Sequence, residues 1–275
     1  MSNNFVTCKL IGGLGNQLFQ IFTTLSYSLK YKINFCFPDY KGSMGIDNKS
    51  ERPAYWNNIL SNLKQNIKQI KDGIIIREID SHKYNNLQKP IVNRNMILHG
   101  YFQSLKYFNE NSEKIINRLN FRSFQKRFGE IDAISMHFRI GDYKANSKFH
   151  PILSLEYYKD ALKYLILKTN KKDWTIKYCC EDEDVKDVEN KIGKLQDIYN
   201  ELKFERINNK FADWEQMFYM SCCEHIIIAN STFSWWSAYL NINPNKIICY
   251  PNNWFGNNKD VSQMFKGLGW NLIII

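Results

Sequence analysis

Residues 225–241, HIIIANSTFSWWSAYLN, combine a strand signal with a helix signal. The apolar run HIIIA predicts a buried strand, and STFSWWSAYLN predicts the start of a helix directly after it. Ser231, Thr232 and Ser234 place hydroxyl groups at that helix start, where backbone N–H groups and the helix dipole favour an anion. The same hydroxyls also suit simple N-capping. The two tryptophans that follow are expected to pack in the core.

Upstream of this stretch, the second half of the chain alternates strands and helices. AISMHFRIGDY contains a strand from Ala133 to about Phe138, and SLEYYKDALKYLILK forms an amphipathic helix with Ser154 as a candidate N-cap. WTIKYCCEDED and DIYNELKFERI predict further strands, ADWEQMFYMSCC predicts a helix, and KIICYP predicts a final strand. Such alternation is typical of a parallel sheet covered by helices.

The first half of the chain begins with the same pattern. FVTCKLI predicts a strand, GGLGNQ a turn, LFQIFTTLSYSLKYK a helix and INFCF a second strand. Residues 41–100 are less regular until MILHGYFQS, which predicts a strand and turn before a helix that runs to about residue 120. We therefore predict an α/β fold with a domain boundary near 121–130. The domains would be 1–125 and 126–275, each with ligands at the carboxyl ends of its strands.

Composition narrows the class of protein. The net charge of +10 and the isoelectric point near 9.1 favour an anionic partner. Nucleic acid is one candidate, but the aromatic residues lie in apolar periodic segments and are not interleaved with arginine. The seven cysteines form no CxxC motif, which argues against a zinc or redox site and favours a reducing, cytoplasmic setting. No run of about 18 apolar residues predicts a membrane span, although peripheral association with a membrane stays open.

GGLGNQLFQ, residues 12–20, places glycines between a strand and a helix. Gly13 would let the backbone approach a phosphate or sugar, and Asn16 and Gln17 could add side-chain hydrogen bonds. The spacing matches neither the dinucleotide-binding fingerprint nor the P-loop, so a plain tight turn is equally compatible with it.

MHFRIGDY, residues 136–143, carries the most chemistry of any stretch. His137 and Arg139 alternate at a strand end and should point to one face. An arginine there can bind a phosphate with its forked guanidinium, and Asp142 can orient either side chain or act as a base. The alternative is an ordinary surface salt bridge.

CCEDED, residues 179–184, puts Glu181 and Asp182 where another strand ends. Their carboxylates could bind a divalent metal or accept hydrogen bonds from a base or ribose. A solvated acidic loop at the start of the next helix explains the pattern equally well.

Taken in order, GGLGNQLFQ, HFRIGDY and NSTFSWWSAYLN resemble the motifs of the family 11 glycosyltransferases, the α-1,2-fucosyltransferases. GYFQSLKYF, LSLEYYKDAL and YPNNWF support the resemblance, which covers most of the chain and is weakest over residues 41–95. The resemblance implies a GT-B-like fold of two Rossmann-type domains with a cleft between them. It also implies an inverting transferase that uses GDP-fucose and needs no metal and no cofactor. Its partners would be the sugar nucleotide and a glycan acceptor bound mainly by the N-terminal domain.

Carried over to this sequence, the resemblance assigns donor-binding roles to three regions. Asn16, with the neighbouring Gly13 and Gln17, would lie near the donor. Arg139 would contact the β-phosphate, with His137 and Asp142 shaping its loop. The pyrophosphate would lie against Ser231, Thr232, Phe233 and Ser234, and the nucleoside would lie by Glu181 and Asp182. For the general base the resemblance favours Glu156, in the first turn of SLEYYK, over Asp142, although the helix dipole alone also favours an acid there.

One position departs from the family pattern, H-x-R-R-x-D. Ile140 stands where the second arginine is usual, and an apolar side chain cannot contact phosphate through charge. Transfer of another nucleotide-activated 6-deoxy sugar, such as rhamnose, is therefore an alternative to fucose. A non-catalytic, lectin-like descendant is a further alternative, against which the intact His137, Arg139 and Asp142 argue.

Overall fold

The chain forms two compact units in a computed structural model that describes residues 4–44, 51–80, 83–256 and 259–275. The first unit comprises Met1–Arg122 and Asp260–Leu268, and the second comprises Ser123–Lys259 and Gly269–Ile275. The break after Arg122 falls in the expected boundary region. Residues 260–268 were expected in the C-terminal domain, but they pack with the first unit, so the chain crosses between the units more than once.

The first unit is built on a four-stranded parallel sheet in the order β2-β1-β6-β5. A separate antiparallel pair, β3 with β4, falls in the region that the sequence left without regular structure. The elements of this unit are β1 (Phe5–Cys8), α1 (Leu14–Tyr31), β2 (Asn34–Phe35), β3 (Gly42–Met44), β4 (Glu51–Pro53), β5 (Ile74–Arg77), β6 (Met96–His99) and α2 (Ser112–Leu119).

The second unit is built on a six-stranded sheet in the order β12-β11-β10-β7-β8-β9, with every pairing parallel. Helix α3 (Phe121–Lys126) contains the boundary. The elements that follow are β7 (Ile131–His137), α4 (Leu155–Thr169), β8 (Thr175–Cys179), α5 (Val185–Ile198), β9 (Lys203–Arg206), α6 (Asp213–Ser221), β10 (Cys223–Ile227), α7 (Thr232–Leu240), β11 (Ile248–Pro251) and β12 (Asn271–Ile273).

These sheets confirm the predicted α/β class with two Rossmann-type domains. KIICYP, expected to be the final strand, is followed by β12, which lies at the edge of the second sheet. The short run NLI was not recognised as a strand from the sequence because it is only three residues long, although two turn glycines, Gly267 and Gly269, precede it. Ser154 does occupy the N-cap position of α4, but its side chain makes no capping hydrogen bond.

The order of strands identifies by topology alone the edge of each sheet at which a ligand is expected. In the second sheet the chain fills β7, β8 and β9 in one direction and then returns to the other side of β7 to add β10, β11 and β12. Open parallel sheets bind ligands at the carboxyl ends of the strands that flank such a reversal. The reversal in the second sheet lies between β7 and β10, and that in the first sheet lies between β1 and β6.

The two tryptophans of the opening stretch lie in the core, as the sequence indicates. Trp235 and Trp236 are both fully buried, with their ring centroids 5.2 Å apart in an edge-to-face arrangement. Their burial fixes α7 on the sheet and so sets the position of its first turn. No helix among the described residues has both the length and the apolar character needed to cross a membrane.

Candidate active site

Three of the predicted motifs meet at one edge of the second sheet. β8, β7 and β10 are neighbours, with His137 beside Cys179 and Met136 beside Ile227. The residues that follow each strand therefore emerge at the same carboxyl edge. Direct contacts join them, since the His137 and Phe233 rings lie 5.3 Å apart. The Tyr143 hydroxyl also donates a hydrogen bond to the Asn230 carbonyl at 2.9 Å.

Arg139 lies at the centre of this edge. Its guanidinium donates to the Glu181 carboxylate through one terminal nitrogen and to the Asp142 carboxylate through the other, and it lies over the ring of Tyr143. Only 15% of the Arg139 side chain is exposed. Burial disfavours the charged guanidinium, but the negative charges of Glu181 and Asp142 and the nearby Tyr143 outweigh it and raise the pKa of Arg139. Arg139 is therefore a fixed cation with its orientation set from two sides.

The Glu181 and Asp142 carboxylates accept only some of the N–H groups of the Arg139 guanidinium. The two hydrogen bonds use one N–H on each terminal nitrogen, and a guanidinium has further N–H groups in the same plane. An incoming phosphate can thus bind Arg139 beside the carboxylates or displace the partly exposed Glu181, whose side chain is 33% exposed. The Asp142 side chain is only 5% exposed, so Asp142 is the more firmly held partner.

Gly141 gives the Arg139 loop its shape. Its φ of +24° lies on the positive side that side chains disfavour, and an added Cβ would collide with the Glu181 carboxylate. The Gly141 N–H donates to the buried Asp184 carboxylate at 2.5 Å, and Lys144 bonds the same carboxylate at 3.1 Å. Asp184, which the sequence did not single out, therefore fixes this loop to the start of α5.

His137 is buried beside Arg139 and is held neutral. Burial, helped by the positive charge of Arg139, lowers the pKa of His137 to about 3. Its Nδ1 is buried without a hydrogen-bond partner among the described residues. The side chain therefore contributes an uncharged, tightly packed ring that supports Phe233 rather than a cation for a phosphate.

The first turn of α7 separates the predicted hydroxyls into two roles. Ser231 is the N-cap and accepts a hydrogen bond from the Phe233 amide at 3.3 Å, and Thr232 and Phe233 are half-buried at the edge. Ser234 is fully buried, and its hydroxyl is 3.3 Å from both the Ala229 and the Ser231 carbonyl oxygens. The structure thus corrects the expectation that Ser234 faces a ligand: its hydroxyl is used to hold the turn in place.

The remaining predicted acids are more exposed. Asp182 follows β8 with a side chain that is 76% exposed, and it pairs with Arg206 at the end of β9. Glu156 lies in the first turn of α4 with a side chain that is 59% exposed, and it pairs with Lys159 one turn later. Glu156 is not joined to Arg139 or Asp142 by any hydrogen bond or ion pair recorded for the described residues.

The glycine-rich loop lies at the strand reversal of the first sheet. Gly12 has a φ of +79°, and a Cβ there would come within 2.6 Å of the Asn16 amide nitrogen. Gly13 is the N-cap of α1, and Asn16 accepts a hydrogen bond from the Gln103 amide at 3.0 Å. Gln17, predicted to face the donor, is fully buried and donates to the Gly12 and Pro53 carbonyls at 3.0 and 2.9 Å. It is a structural support of the loop.

Sequence reasoning missed two further residues beside these motifs. Arg52 on β4 lies against Gly13, since its Cδ would be 3.4 Å from a Cβ there, so a cation stands at the start of α1. His150 stacks on Tyr143 with ring centroids 4.6 Å apart. No motif signals either residue, because Arg52 reaches the loop from a region of weak pattern and His150 from a loop without periodicity.

Ile140 does not line the edge. It is 4% exposed and packs in the apolar cluster that contains Phe138, Leu153 and Tyr158. The side chain at the position that differs from the family pattern therefore points into the core in this chain. The described residues contain no group of three or more His, Cys, Asp and Glu side chains placed to hold a metal ion.

Comparison with known proteins gives a consistent result. The model of the family described as "Glycosyl transferase family 11" matches residues 6–273. The Escherichia coli protein named O-antigen biosynthesis glycosyltransferase WbnK is 28% identical, over 93% of this chain and 97% of its own length. An Escherichia coli alpha-1,2-colitosyltransferase is 27% identical, over 92% and 93% respectively. A solved structure of an Arabidopsis thaliana FUT1 mutant in complex with GDP aligns with a TM-score of 0.49 at 10% identity, covering 91% of this chain and 71% of that chain.

The burial of His137 predicts a pH dependence of stability. Its folded-state pKa near 3 lies below the unfolded value near 6.5, so the unfolded chain binds more protons between these values. The part of the free energy of unfolding that comes from keeping His137 neutral is fully present above about pH 6.5. It declines as the pH falls through that value towards 3. Urea unfolding of wild type and His137→Gln between pH 5 and 8 measures it. The wild type should lose more stability than the variant over this range, and parallel losses would contradict the prediction.

The burial of Ile140 predicts that restoring the family arginine is costly in this chain. Ile140→Arg would bury an unpaired charge among apolar side chains and should lower the free energy of unfolding by roughly 3–5 kcal/mol. Ile140→Leu, which keeps the volume, should cost less than about 1.5 kcal/mol. Chemical denaturation compares them, and an arginine variant as stable as wild type would show that this position reaches solvent.

Proposed function

Because the chain belongs to glycosyl transferase family 11 and is therefore a glycosyltransferase, we propose that it moves L-fucose from GDP-fucose to a galactoside-type glycan hydroxyl with inversion. The observation that carries the proposal is the meeting of the Arg139 loop and the first turn of α7 at the strand reversal of the second sheet. This is the position at which doubly wound sheets bind nucleotides. The partners of the protein would be a sugar nucleotide and a glycan acceptor, with no further cofactor.

The pyrophosphate of the donor would lie between Arg139 and α7. As the glycosidic bond breaks, negative charge accumulates on the leaving phosphate, and fixed donors at that place lower the barrier. Arg139 supplies a cation oriented by Asp142 and Glu181, and the start of α7 supplies backbone N–H groups at the positive end of the helix dipole. Ser231, Thr232 and Phe233 form that turn, and Ser234 holds it from behind.

The nucleoside would lie along the carboxyl end of β8. Asp182 is exposed there and pairs with Arg206, so its carboxylate can exchange that partner for a ribose hydroxyl or a base N–H. Glu181 would connect the two halves of the donor, because it contacts Arg139 from the strand end next to Asp182. In the first unit, Gly13 and Asn16 are proposed to approach the donor as the resemblance implies.

Inversion requires a base that removes the proton of the acceptor hydroxyl. Asp142 is buried and its carboxylate is bound to Arg139, so it is poorly placed to reach an acceptor hydroxyl. Glu156 is paired with Lys159 in a setting open to water, which screens such pairs and lets them exchange. We therefore propose Glu156 as the base and Asp142 as a residue that positions Arg139.

A donor with another 6-deoxy-type sugar is the second candidate. One relative, at 27% identity, is named an alpha-1,2-colitosyltransferase, which supports a donor sugar other than fucose as an alternative. The core position of Ile140 removes one reason to prefer this candidate, because its side chain packs among apolar residues rather than at the proposed donor edge. The reaction is proposed to take place in the cytoplasm, in keeping with seven buried, unbridged cysteines.

The donor proposal predicts selective stabilisation by the nucleotide sugar. A ligand raises the free energy of unfolding by RT ln(1 + [L]/Kd), about 2.7 kcal/mol at a hundred times Kd. GDP-fucose should raise the melting temperature of the wild type more than other sugar nucleotides do, and Arg139→Ala should lose that rise. Turnover by Arg139→Ala should fall by about 10²–10³-fold, the usual loss for a donor to a developing charge.

Arg127→Ala serves as the matched control and should keep most of the transfer rate, because its exposed ion pair with Glu215 lies before β7, at the other end of that strand from Arg139. Circular dichroism establishes that each variant is folded. Wild-type turnover by a folded Arg139→Ala would refute the donor assignment, and a melting shift with a different sugar nucleotide alone would favour the second candidate.

The base proposal predicts a change in the pH dependence of turnover. Glu156→Gln should lower kcat by about 10²–10⁴-fold and abolish the acidic limb of the pH–rate profile. Lys159→Gln removes the ion-pair partner but leaves the carboxylate, and should keep the limb. An unchanged profile in Glu156→Gln would remove it as the base.

A further inference from the structure

The positive charge of the protein is concentrated in one of its two units. Residues 1–122 and 260–268 contain 18 lysines and arginines against 9 aspartates and glutamates, a net charge of +9. The second unit contains 19 against 18, a net charge of +1, and together they account for the +10 of the chain. The donor pyrophosphate therefore does not explain the excess, since the proposed site for it lies in the nearly neutral unit.

Two of these cations, Lys9 and Arg77, lie in a row with His99 on the first sheet. Arg77 ends β5 and pairs in register with His99, which ends β6. Lys9 follows β1 directly, and its amide bonds the Leu98 carbonyl at 2.9 Å, which places it beside His99. Residues in register across parallel strands point to the same face, so Lys9, His99 and Arg77 form one basic row at the carboxyl edge.

The row is open and has no carboxylate in it. Lys9 and Arg77 are exposed and His99 is half-buried. No ion pair to either cation is recorded for the described residues. The nearest acid in sequence, Glu78, is directed elsewhere: its carboxylate accepts the amides of Tyr101 at 2.7 Å and Phe102 at 3.0 Å.

The hydrogen bond within the row decides which atoms face a ligand. An Arg77 N–H donates to Nδ1 of His99 at 2.8 Å, so neutral His99 carries its proton on Nε2. Burial, with the positive charges of Lys9 and Arg77, lowers the pKa of His99. The row therefore offers an ammonium group, an imidazole N–H and the remaining guanidinium N–H groups, all of them donors.

We propose that this row, Lys9 with His99 and Arg77, binds a phosphate group carried by the acceptor. The row lies at the strand reversal of the first sheet, between β1 and β6, where a parallel sheet binds its ligand. Phosphate suits it better than a carboxylate, because a phosphate presents three oxygens and the row presents donors on three adjacent strands. The acceptor role rests on the proposed function, whereas phosphate binding by the row does not.

Phosphate binding is tested on the intact protein without turnover. The imidazole signals of His99 are assigned by their loss in His99→Gln, and the pKa of His99 is followed by NMR as methyl phosphate is added at constant ionic strength. A bound anion offsets the repulsion from Lys9 and Arg77, so the pKa of His99 should rise and saturate with methyl phosphate. Chloride or acetate at the same ionic strength should leave it unchanged.

A pair of variants isolates the row from the overall charge. Lys9→Gln with Arg77→Gln should abolish the response of His99 to methyl phosphate. Lys71→Gln with Arg94→Gln is the matched control: it removes the same charge from exposed residues before β5 and β6, at the opposite end of the same strands. An equal loss in both pairs, or a response to chloride as large as that to methyl phosphate, would overturn the proposal as unspecific attraction of anions.

Kinetics link the row to the acceptor. With galactose 1-phosphate as acceptor, KM for the wild type should be about tenfold or more below that for methyl galactoside, as expected when charge-assisted hydrogen bonds are added. The Lys9 and Arg77 double variant should lose this difference and keep the KM for methyl galactoside. Equal KM values in the wild type would overturn the acceptor role. If neither acceptor is used but His99 still responds to methyl phosphate, the proposed function fails and the phosphate site stands.

A final comparison distinguishes the source of the phosphate. Vesicles of phosphatidylglycerol and of phosphatidylcholine are added in place of methyl phosphate, and co-sedimentation is measured together with the His99 signals. A response to methyl phosphate supports a site for individual phosphate groups, whether or not anionic vesicles also bind. A response to phosphatidylglycerol vesicles alone would overturn the proposal and identify the row as part of a membrane-binding surface.

Discussion

The two ion pairs of Arg139 hold the proposed donor edge together. Arg139 follows β7, Asp142 lies in the same loop, and Glu181 follows the neighbouring strand β8, so one guanidinium ties two strand ends. A guanidinium that is only 15% exposed would be destabilising without partners, and the two carboxylates provide them. The arrangement also keeps the guanidinium in one orientation before any ligand arrives, so binding a phosphate would need little reorganisation.

Several residues that belong to recognisable motifs support the site without facing it. His137 is a neutral packed ring, Gln17 holds the glycine-rich loop, and Ser234 holds the first turn of α7. Ile140 lies in the core. Residues of the motifs thus fix the shape of the loops as well as supply ligand-binding groups. A loop that carries a phosphate ligand must itself be fixed by buried hydrogen bonds.

The two units differ in net charge, so their charged residues act in different ways. In the second unit the cations are matched by acids, and specific pairs such as Arg139 with Glu181 set their positions. In the first unit the excess of lysine and arginine leaves basic residues such as Lys9 and Arg77 facing solvent. An unmatched field attracts anions over a distance of about a Debye length, whereas paired charges act only at contact.

The sequence by itself determined the local elements. Alternating apolar runs and amphipathic segments identified β1, α1, β7, α4, β10 and α7, because hydrophobic periodicity is a local property. It also placed Arg139, Glu181 and Ser231 at strand ends, and parallel strands bring such ends to one edge. Only the tertiary structure decided which charges pair, that Ile140 turns inward, that 260–268 returns to the first unit, and that Lys9, His99 and Arg77 form a row. These four features depend on strand order and register, which bring together residues that are far apart in the chain. The hydrophobic periodicity of the sequence does not report them.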